Sequence, residues 1–324
     1  MTATGASGTR AIVCAYGEIG WVSLQTLLEQ GVDVPLVVTH EDAPGELRWF
    51  RSVRDLAREA GVRAITPIHV NTPETLALLA AADADFLFSF YFRQMLKPPA
   101  LALARRGALN LHGSLLPRYR GRAPVNWVLI EGETETGVTL HYMDEKPDHG
   151  DVVAQRAVPI DRNDTALHLT RKLAEAAREL LRDVIPRLAA GSAPRTPQDH
   201  ARASYFGGRR PEDGEIDWRQ PAERVRNLIR AVTRPWPGAF TSLRSRRWMI
   251  WSAETAPQDA PHPPGELFFT RDGVPSVATG DGALSLTHVS WADGDPSDAR
   301  QWARSEGLRA GERCGDACAM KLPS

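Results

Sequence analysis

The feature that most constrains this chain is an alternation through its first 112 residues of short apolar runs with stretches of helical spacing, several closed by glycine. Residues 11–16 (AIVCAY) form one run, followed by Gly17, Gly20 and a helical pattern over 21–30 that stops at Gly31. Further runs lie at 34–39, 85–90 (DFLFSF) and 108–112, with helical patterns over 51–60, closed by Gly61, and over 72–82. Short apolar strands alternating with helices pack as a parallel sheet covered on both faces. The predicted fold class is therefore α/β, a Rossmann-like parallel sheet with helices on both faces. Such sheets place their ligands beyond the carboxyl ends of the strands.

The pattern continues with strands at 137–143 and 151–160, joined by a polar loop, and a long amphipathic helix over 165–190. Asp164 is its expected cap, Leu173, Leu180, Leu181, Val184 and Leu188 its apolar stripe, and Gly191 its stop. Residues 192–204 have linker composition. Beyond them a helix over 221–232 ends before Arg234-Pro235-Trp236-Pro237-Gly238. Short strands follow at 239–243, 248–251, 265–269, 274–278 and 283–288, a spacing that predicts a small antiparallel, OB-like barrel. The expected organisation is a first domain over 10–191, a linker over 192–204, a barrel domain over 205–307 and a frayed tail over 308–324.

At 324 residues the chain is long enough for two cores. Its 39 basic and 40 acidic residues leave no field that would hold a polyanion, which argues against a nucleic-acid partner. No run approaches the roughly 20 apolar residues that span a bilayer, and the leader MTATGASGTR has no apolar segment, so a cytoplasmic protein is expected. The cysteine count is odd and suggests no disulfide framework: Cys14 reads as a core residue, Cys314 and Cys318 as structurally silent. The Gly17-x-x-Gly20 turn lacks the full dinucleotide fingerprint, and Thr39 and His40 stand where an acidic residue would end the second strand. This disfavours an oxidoreductase.

The stretch 110–122, NLHGSLLPRYRGR, carries the chemistry. Residues two apart on a strand share a face, so Asn110 and His112 present an amide and an imidazole together. An amide donates to a developing oxyanion and an imidazole moves a proton. Asp148, in the loop 144–150 (DEKPDHG), is the candidate third member; a carboxylate against His112 favours its protonated form and holds its orientation. No serine or cysteine stands beside a base, and no metal-ligand spacing occurs. These residues fit a site that helps an amine attack a carbonyl carried on another molecule. Each has a plainer reading alone: a satisfied core histidine, a turn-forming asparagine, a simple turn at Asp148-His149-Gly150.

Read together, NLHGSLLPRYRGRAPVNWVLIEGETETGVTLHYM and PDHG resemble the catalytic core of the formyltransferases that use 10-formyltetrahydrofolate. The family pattern is Asn-x-His, then Ser-Leu-Leu-Pro with an Arg-Gly loop, then an Asp shortly before a glycine. The likeness covers about residues 10–290 and is nearest to members that formylate UDP-4-amino-4-deoxy-L-arabinose for lipid A modification and polymyxin resistance. It is supported by Thr39-His40-x-Asp42-x-Pro44-Gly45-Glu46, by 88–93 (FSFYFR) and by 230–240 (RAVTRPWPGAF).

The resemblance implies that Asn110 stabilises the tetrahedral oxyanion, His112 handles the proton and Asp148 supports His112. It places 10-formyltetrahydrofolate against Gln94, Met95, Leu96, Arg122, Asp144, Glu145, Lys146 and Pro147, with backbone groups serving the pterin edge. For nucleotide-sugar phosphates it leaves Arg118, Tyr119, Arg120, Arg209 and Arg210, the guanidinium forks being suited to that task. Arg118, Arg120 and Arg122 also read as surface arginines. The bifunctional relatives continue into an oxidative decarboxylase, so a separate decarboxylase partner, or another amino sugar, is implied. The rival in the same class is methionyl-tRNA formyltransferase, against which Arg120-Gly121-Arg122-Ala123-Pro124 and Asn126-Trp127 speak. A non-catalytic folate- or nucleotide-binding module is the rival from another class.

Overall fold

The computed structural model describes residues 8–41, 48–256 and 262–315. Residues 1–7 of the expected ten-residue leader, the Asp42–Glu46 part of the second motif and Cys318 lie outside the described residues. The chain divides into two units, one of residues 1–124, 134–161 and 168–207, the other of 125–133, 162–167 and 208–324.

The first unit is built on β1 (Arg10–Ala15), β2 (Asp33–Val38), β3 (Arg63–Ile65), β4 (Phe86–Phe90), β5 (Gly107–His112), β6 (Arg120–Gly121), β7 (Glu135–Tyr142), β8 (Val152–Pro159) and β9 (Tyr205–Phe206). Seven of these form one sheet in the order β3-β2-β1-β4-β5-β7-β8. The first five are parallel, and β7 and β8 are added antiparallel at the edge. β4 is buried along its whole length, which is why it reads as an unbroken apolar run. The strand order reverses direction between β1 and β4, the usual place for a ligand crevice in an open sheet. β6 and β9 form a separate two-stranded parallel ribbon.

The helices are α1 (Gly17–Glu29), α2 (Val53–Glu59), α3 (Pro73–Ala81), α4 (Pro98–Leu101), α5 (Pro124–Ile130), α6 (Ala166–Ala189), α7 (Ala222–Val232) and α8 (Ala299–Ser305). α2 and α3 begin where sequence chemistry directs: Ser52 accepts from the Asp55 N–H, Thr72 accepts from the Thr75 N–H, and a proline opens α3. α1 begins a turn earlier than the spacing predicts. Gly20 lies inside it, where a Cβ would stand 3.0 Å from the Phe90 carbonyl, so the glycine lets helix and strand approach. Cys14 is fully buried, and burial pushes its thiol pKa up to about 12.

The segment 192–204 is not an open linker. Thr196 and Val152 exchange backbone hydrogen bonds, Asp199 caps a short 3₁₀ turn, and Gln198 is buried. Its polar side chains find partners in the first unit, which composition alone does not show.

The second unit holds β10 (Ala239–Leu243), β11 (Arg246–Ala256), β12 (Leu267–Phe269), β13 (Pro275–Ala278), β14 (Ala283–Trp291) and β15 (Ser297–Asp298). The sheet runs β10-β11-β14-β13-β12, with β15 on β14. It is antiparallel, and register shifts between Ile250 and Ala253 mark bulges in the long β11. The sequence places five of these strands; β15 and α8 it does not. The tail is pinned as far as it is described: Leu308 and Cys314 are buried, and the Cys314 N–H donates to the Gly265 carbonyl.

Candidate active site

β5 alternates as its sequence requires. Leu109 and Leu111 enter the core, while Asn110 and His112 share the other face, opposite His141 and Thr139 of β7. Asp148 arrives from the turn after β7 with φ of +53°, a conformation a non-glycine residue holds only when its surroundings fix it. The turn closes through Gly150, where any Cβ would lie 2.1 Å from the Tyr142 carbonyl oxygen. That contact explains the glycine after Asp148-His149.

The three side chains converge. Asn110 Nδ2 donates to Asp148 Oδ1 at 3.3 Å, and His112 Nδ1 stands 3.5 Å from the same oxygen. Asp148 Oδ2 accepts the Gly121 N–H at 2.8 Å. His112 Nε2 lies 2.7 Å from the Tyr119 carbonyl, so that nitrogen carries the hydrogen and Nδ1 is the one turned to the carboxylate. The ring is 6% exposed. Burial works to raise the Asp148 pKa, but the fields of His112 and His141 and the Gly121 N–H outweigh it. They hold the carboxyl well below the usual range, so it is an anion at neutral pH.

A fourth residue, His141, completes the cluster. Its Nε2 is 3.1 Å from Asn110 Nδ2 and 3.6 Å from Asp148 Oδ1, and its Nδ1 is 2.8 Å from the Tyr142 carbonyl. Nδ1 lies against that carbonyl, and Nε2 faces both the Asn110 amide and the Asp148 carboxylate, whose pKa it helps to lower. Sequence reasoning passed over His141. The signal that finds it is its cross-strand register with Asn110.

The other candidates divide. Asp144, Glu145, Lys146 and Pro147 form the exposed front of the Asp148 turn. Asp144 accepts the Lys146 N–H, and its other oxygen pairs with His149 Nδ1 at 2.7 Å. Gln94 uses its side chain inward, accepting from the Val70 N–H and donating to the Pro67 carbonyl. Met95 is exposed and Leu96 buried in the core. Arg118 and Arg122 are exposed. In the second unit, Arg209 is half-buried over the Trp127 ring and donates to the Asp213 carbonyl; desolvation lowers its pKa. Arg210 is exposed.

Two expectations are corrected. Tyr119 is buried, its ring stacked on Phe206 at 4.8 Å, and is not presented to a ligand. Arg120 is 1% exposed, and its guanidinium is bound to Gln198, Tyr205 and His200. It is not a surface or phosphate-facing arginine. A loop arginine reads as solvated from sequence because the partners that bury it lie about 80 positions further on.

A mixed sheet brings an amide, two imidazoles and a carboxylate together at the end of β5, groups whose chemistry suits proton transfer. The nearby Ser114 hydroxyl is committed to the Arg118 carbonyl. The chain belongs to the formyl transferase family: residues 21–185 match the formyl transferase domain and 209–307 the formyl transferase C-terminal domain.

Solved structures share the fold. One is an N-formyltransferase from Helicobacter canadensis in complex with folinic acid and dTDP-3-aminofucose. It has 20% identity and a TM-score of 0.66, over 86% of this chain and 99% of that one. Another is WlaRD, a sugar 3N-formyl transferase with dTDP and 5-N-formyl-tetrahydrofolate. It also has 20% identity and a TM-score of 0.66, over 89% and 99% of the two chains. HypX from Aquifex aeolicus matches at 18% identity and a TM-score of 0.64, over 94% of this chain but only 49% of its own, so this chain spans about half the length of HypX.

Proposed function

We propose that this protein transfers the formyl group of 10-formyltetrahydrofolate to the amino group of a nucleotide-linked amino sugar. The reading that fits the motifs best is the 4-amino group of UDP-4-amino-4-deoxy-L-arabinose. The observation that carries the proposal is the convergence of Asn110 and His112 on one carboxylate oxygen of Asp148, at 3.3 and 3.5 Å. The amine nitrogen attacks the formyl carbon, forming a C–N bond and placing negative charge on the formyl oxygen. Asn110 meets that oxyanion by turning an amide hydrogen to it from Asp148. The attacking amine then loses a proton, the departing folate nitrogen gains one, and collapse breaks its bond to the formyl carbon. His112 moves this proton through Nδ1, since Nε2 is held by Tyr119. Lipid A modification, with a separate enzyme supplying the 4-amino sugar, is the setting this acceptor implies.

Support for a sugar acceptor comes from the motif Asn126-Trp127, from a net charge of −1, and from two structures of this fold, one with dTDP-3-aminofucose and one a sugar 3N-formyl transferase with dTDP. The test is mass spectrometry of reactions containing 10-formyltetrahydrofolate and UDP-amino sugars, dTDP-amino sugars or methionyl-tRNA. A formyl increment on UDP-4-amino-4-deoxy-L-arabinose, with a rate nearly constant between 50 and 200 mM salt (~50–200 mM, the range over which polyanion binding collapses), is expected. An increment on the tRNA alone, steeply salt-dependent, overturns the sugar assignment.

A further inference from the structure

The geometry points to Arg120 and Gln198 as positioning residues that hold the Asp148 turn in its reactive shape; the inference rests on the formyl-transfer reading above. Arg120 is a fully buried guanidinium bound by neutral side chains. Nε and one terminal nitrogen donate to Gln198 Oε1 at 3.2 and 2.6 Å. The same terminal nitrogen reaches His200 Nδ1 at 2.9 Å, and the other donates to the Tyr205 hydroxyl at 2.6 Å. A buried charge held this way is costly, so its retention calls for a use.

Gln198 supplies that use. With its oxygen fixed by Arg120, its amide nitrogen donates to the Asp148 carbonyl at 3.0 Å and the Gly150 carbonyl at 2.7 Å. These two bonds grip the residue whose φ is +53° and the glycine two positions on. The orientation of the amide is settled by its partners: the oxygen faces a guanidinium and the nitrogen faces two carbonyls.

Two further ties reinforce the grip. Gly121, the neighbour of Arg120 in the β6–β9 ribbon, donates its N–H to the Asp148 carboxylate. His149 stacks on His200 at 4.1 Å with the rings nearly parallel. Desolvation, then repulsion from His149 and Arg120, lowers the His200 pKa, which keeps its Nδ1 an acceptor for Arg120. The β6–β9 ribbon and the segment 198–205 thus form the base on which the carboxylate is mounted.

The experiment compares wild type, Arg120→Lys and Gln198→Glu, each also in an Asp148→Asn background. Formamide yield is read by mass spectrometry, and amide hydrogen exchange is followed over residues 144–151. Gln198→Glu keeps the acceptor for Arg120, so the chain folds, but it sets a carboxylate oxygen against two carbonyls. Arg120→Lys keeps the charge but not the fork. The expected result is a fall in kcat of about 10- to 100-fold in each variant, the scale of a 1 Å misplacement. KM for the nucleotide sugar stays within about twofold because binding is not what is lost. No further loss is expected in the Asp148→Asn background, and exchange in 144–151 quickens in Gln198→Glu. Losses that multiply in the Asp148→Asn background overturn the inference. So does an Arg120→Lys enzyme with intact kcat and a raised nucleotide-sugar KM. If wild type formylates no acceptor, the functional reading has failed, and the exchange comparison still decides the clamp: unchanged exchange over 144–151 overturns it.

Discussion

Replacing Asp148 by asparagine tests the site most directly, because the change is isosteric and the geometry dictates which way the amide turns. Oδ2 accepts the Gly121 N–H at 2.8 Å, so the asparagine oxygen takes that position. Its NH₂ then occupies the place of Oδ1 and faces the Asn110 NH₂ at 3.3 Å, donor against donor. The negative charge facing the His112 and His141 rings is gone as well. Losing a hydrogen bond to a charged acceptor costs about 1.5–3 kcal/mol, and an unsatisfied buried donor costs about 1–3 kcal/mol. Taking about 3–4 kcal/mol together, the expected fall in kcat is roughly 150- to 900-fold. The assay is formamide formation at saturating substrates, read by mass spectrometry, beside a thermal melt showing a single cooperative transition. A variant with kcat within about threefold of wild type refutes the arrangement: neither the amide nor the ring would then depend on that oxygen.

Further outcomes follow from the same geometry. Gly121→Ala carries a Cβ to 2.3 Å from the Phe206 carbonyl at a φ of +99°. It should disrupt the β6–β9 ribbon and lower the Tm by several degrees, measured by differential scanning calorimetry. The depressed Asp148 pKa sets a pH signature. Its stabilising contribution is complete above the unfolded value near 3.9 and is lost as pH falls through the lower folded value. The Tm gap between wild type and Asp148→Asn should therefore be present at about pH 5 and close as pH falls below about 4. Arg122→Met, at an exposed side chain, should change a substrate KM and leave the Tm unaltered; a lowered Tm with unchanged KM would assign it to the fold instead.

The sheet was legible because its strands announce themselves. β4 reads Phe-Leu-Phe-Ser-Phe and is buried throughout, and the glycines closing the early helices stand where spacing puts them. Asn110 and His112 were legible as a pair because strand periodicity is local. Asp148, 36 positions on, was proposed from the loop that follows the 137–143 strand, and the composite motif then supported it. His141 was missed because it sits in an ordinary strand pattern, and only the antiparallel register of β7 on β5 sets it opposite Asn110. Arg120 and Tyr119 were misread because a run of arginines and glycines looks solvated. Their burial depends on Gln198, in the segment whose composition looks like linker, and on Tyr205 and Phe206 just beyond it.

The placement of Arg120 also has a physical logic. An arginine bound directly to Asp148 would take both carboxylate oxygens in a fork, leaving neither for the imidazole or the amide. Here one oxygen is met by a single backbone N–H, and the other stays shared by Asn110, His112 and His141. The guanidinium acts one residue further out. It fixes the amide oxygen of Gln198, and the amide nitrogen grips the backbone of the turn rather than the carboxylate. Position is supplied without neutralising the charge that faces the ring. The carboxylate is an anion held by dipoles and rings, and this leaves Oδ1 available while a proton moves across His112.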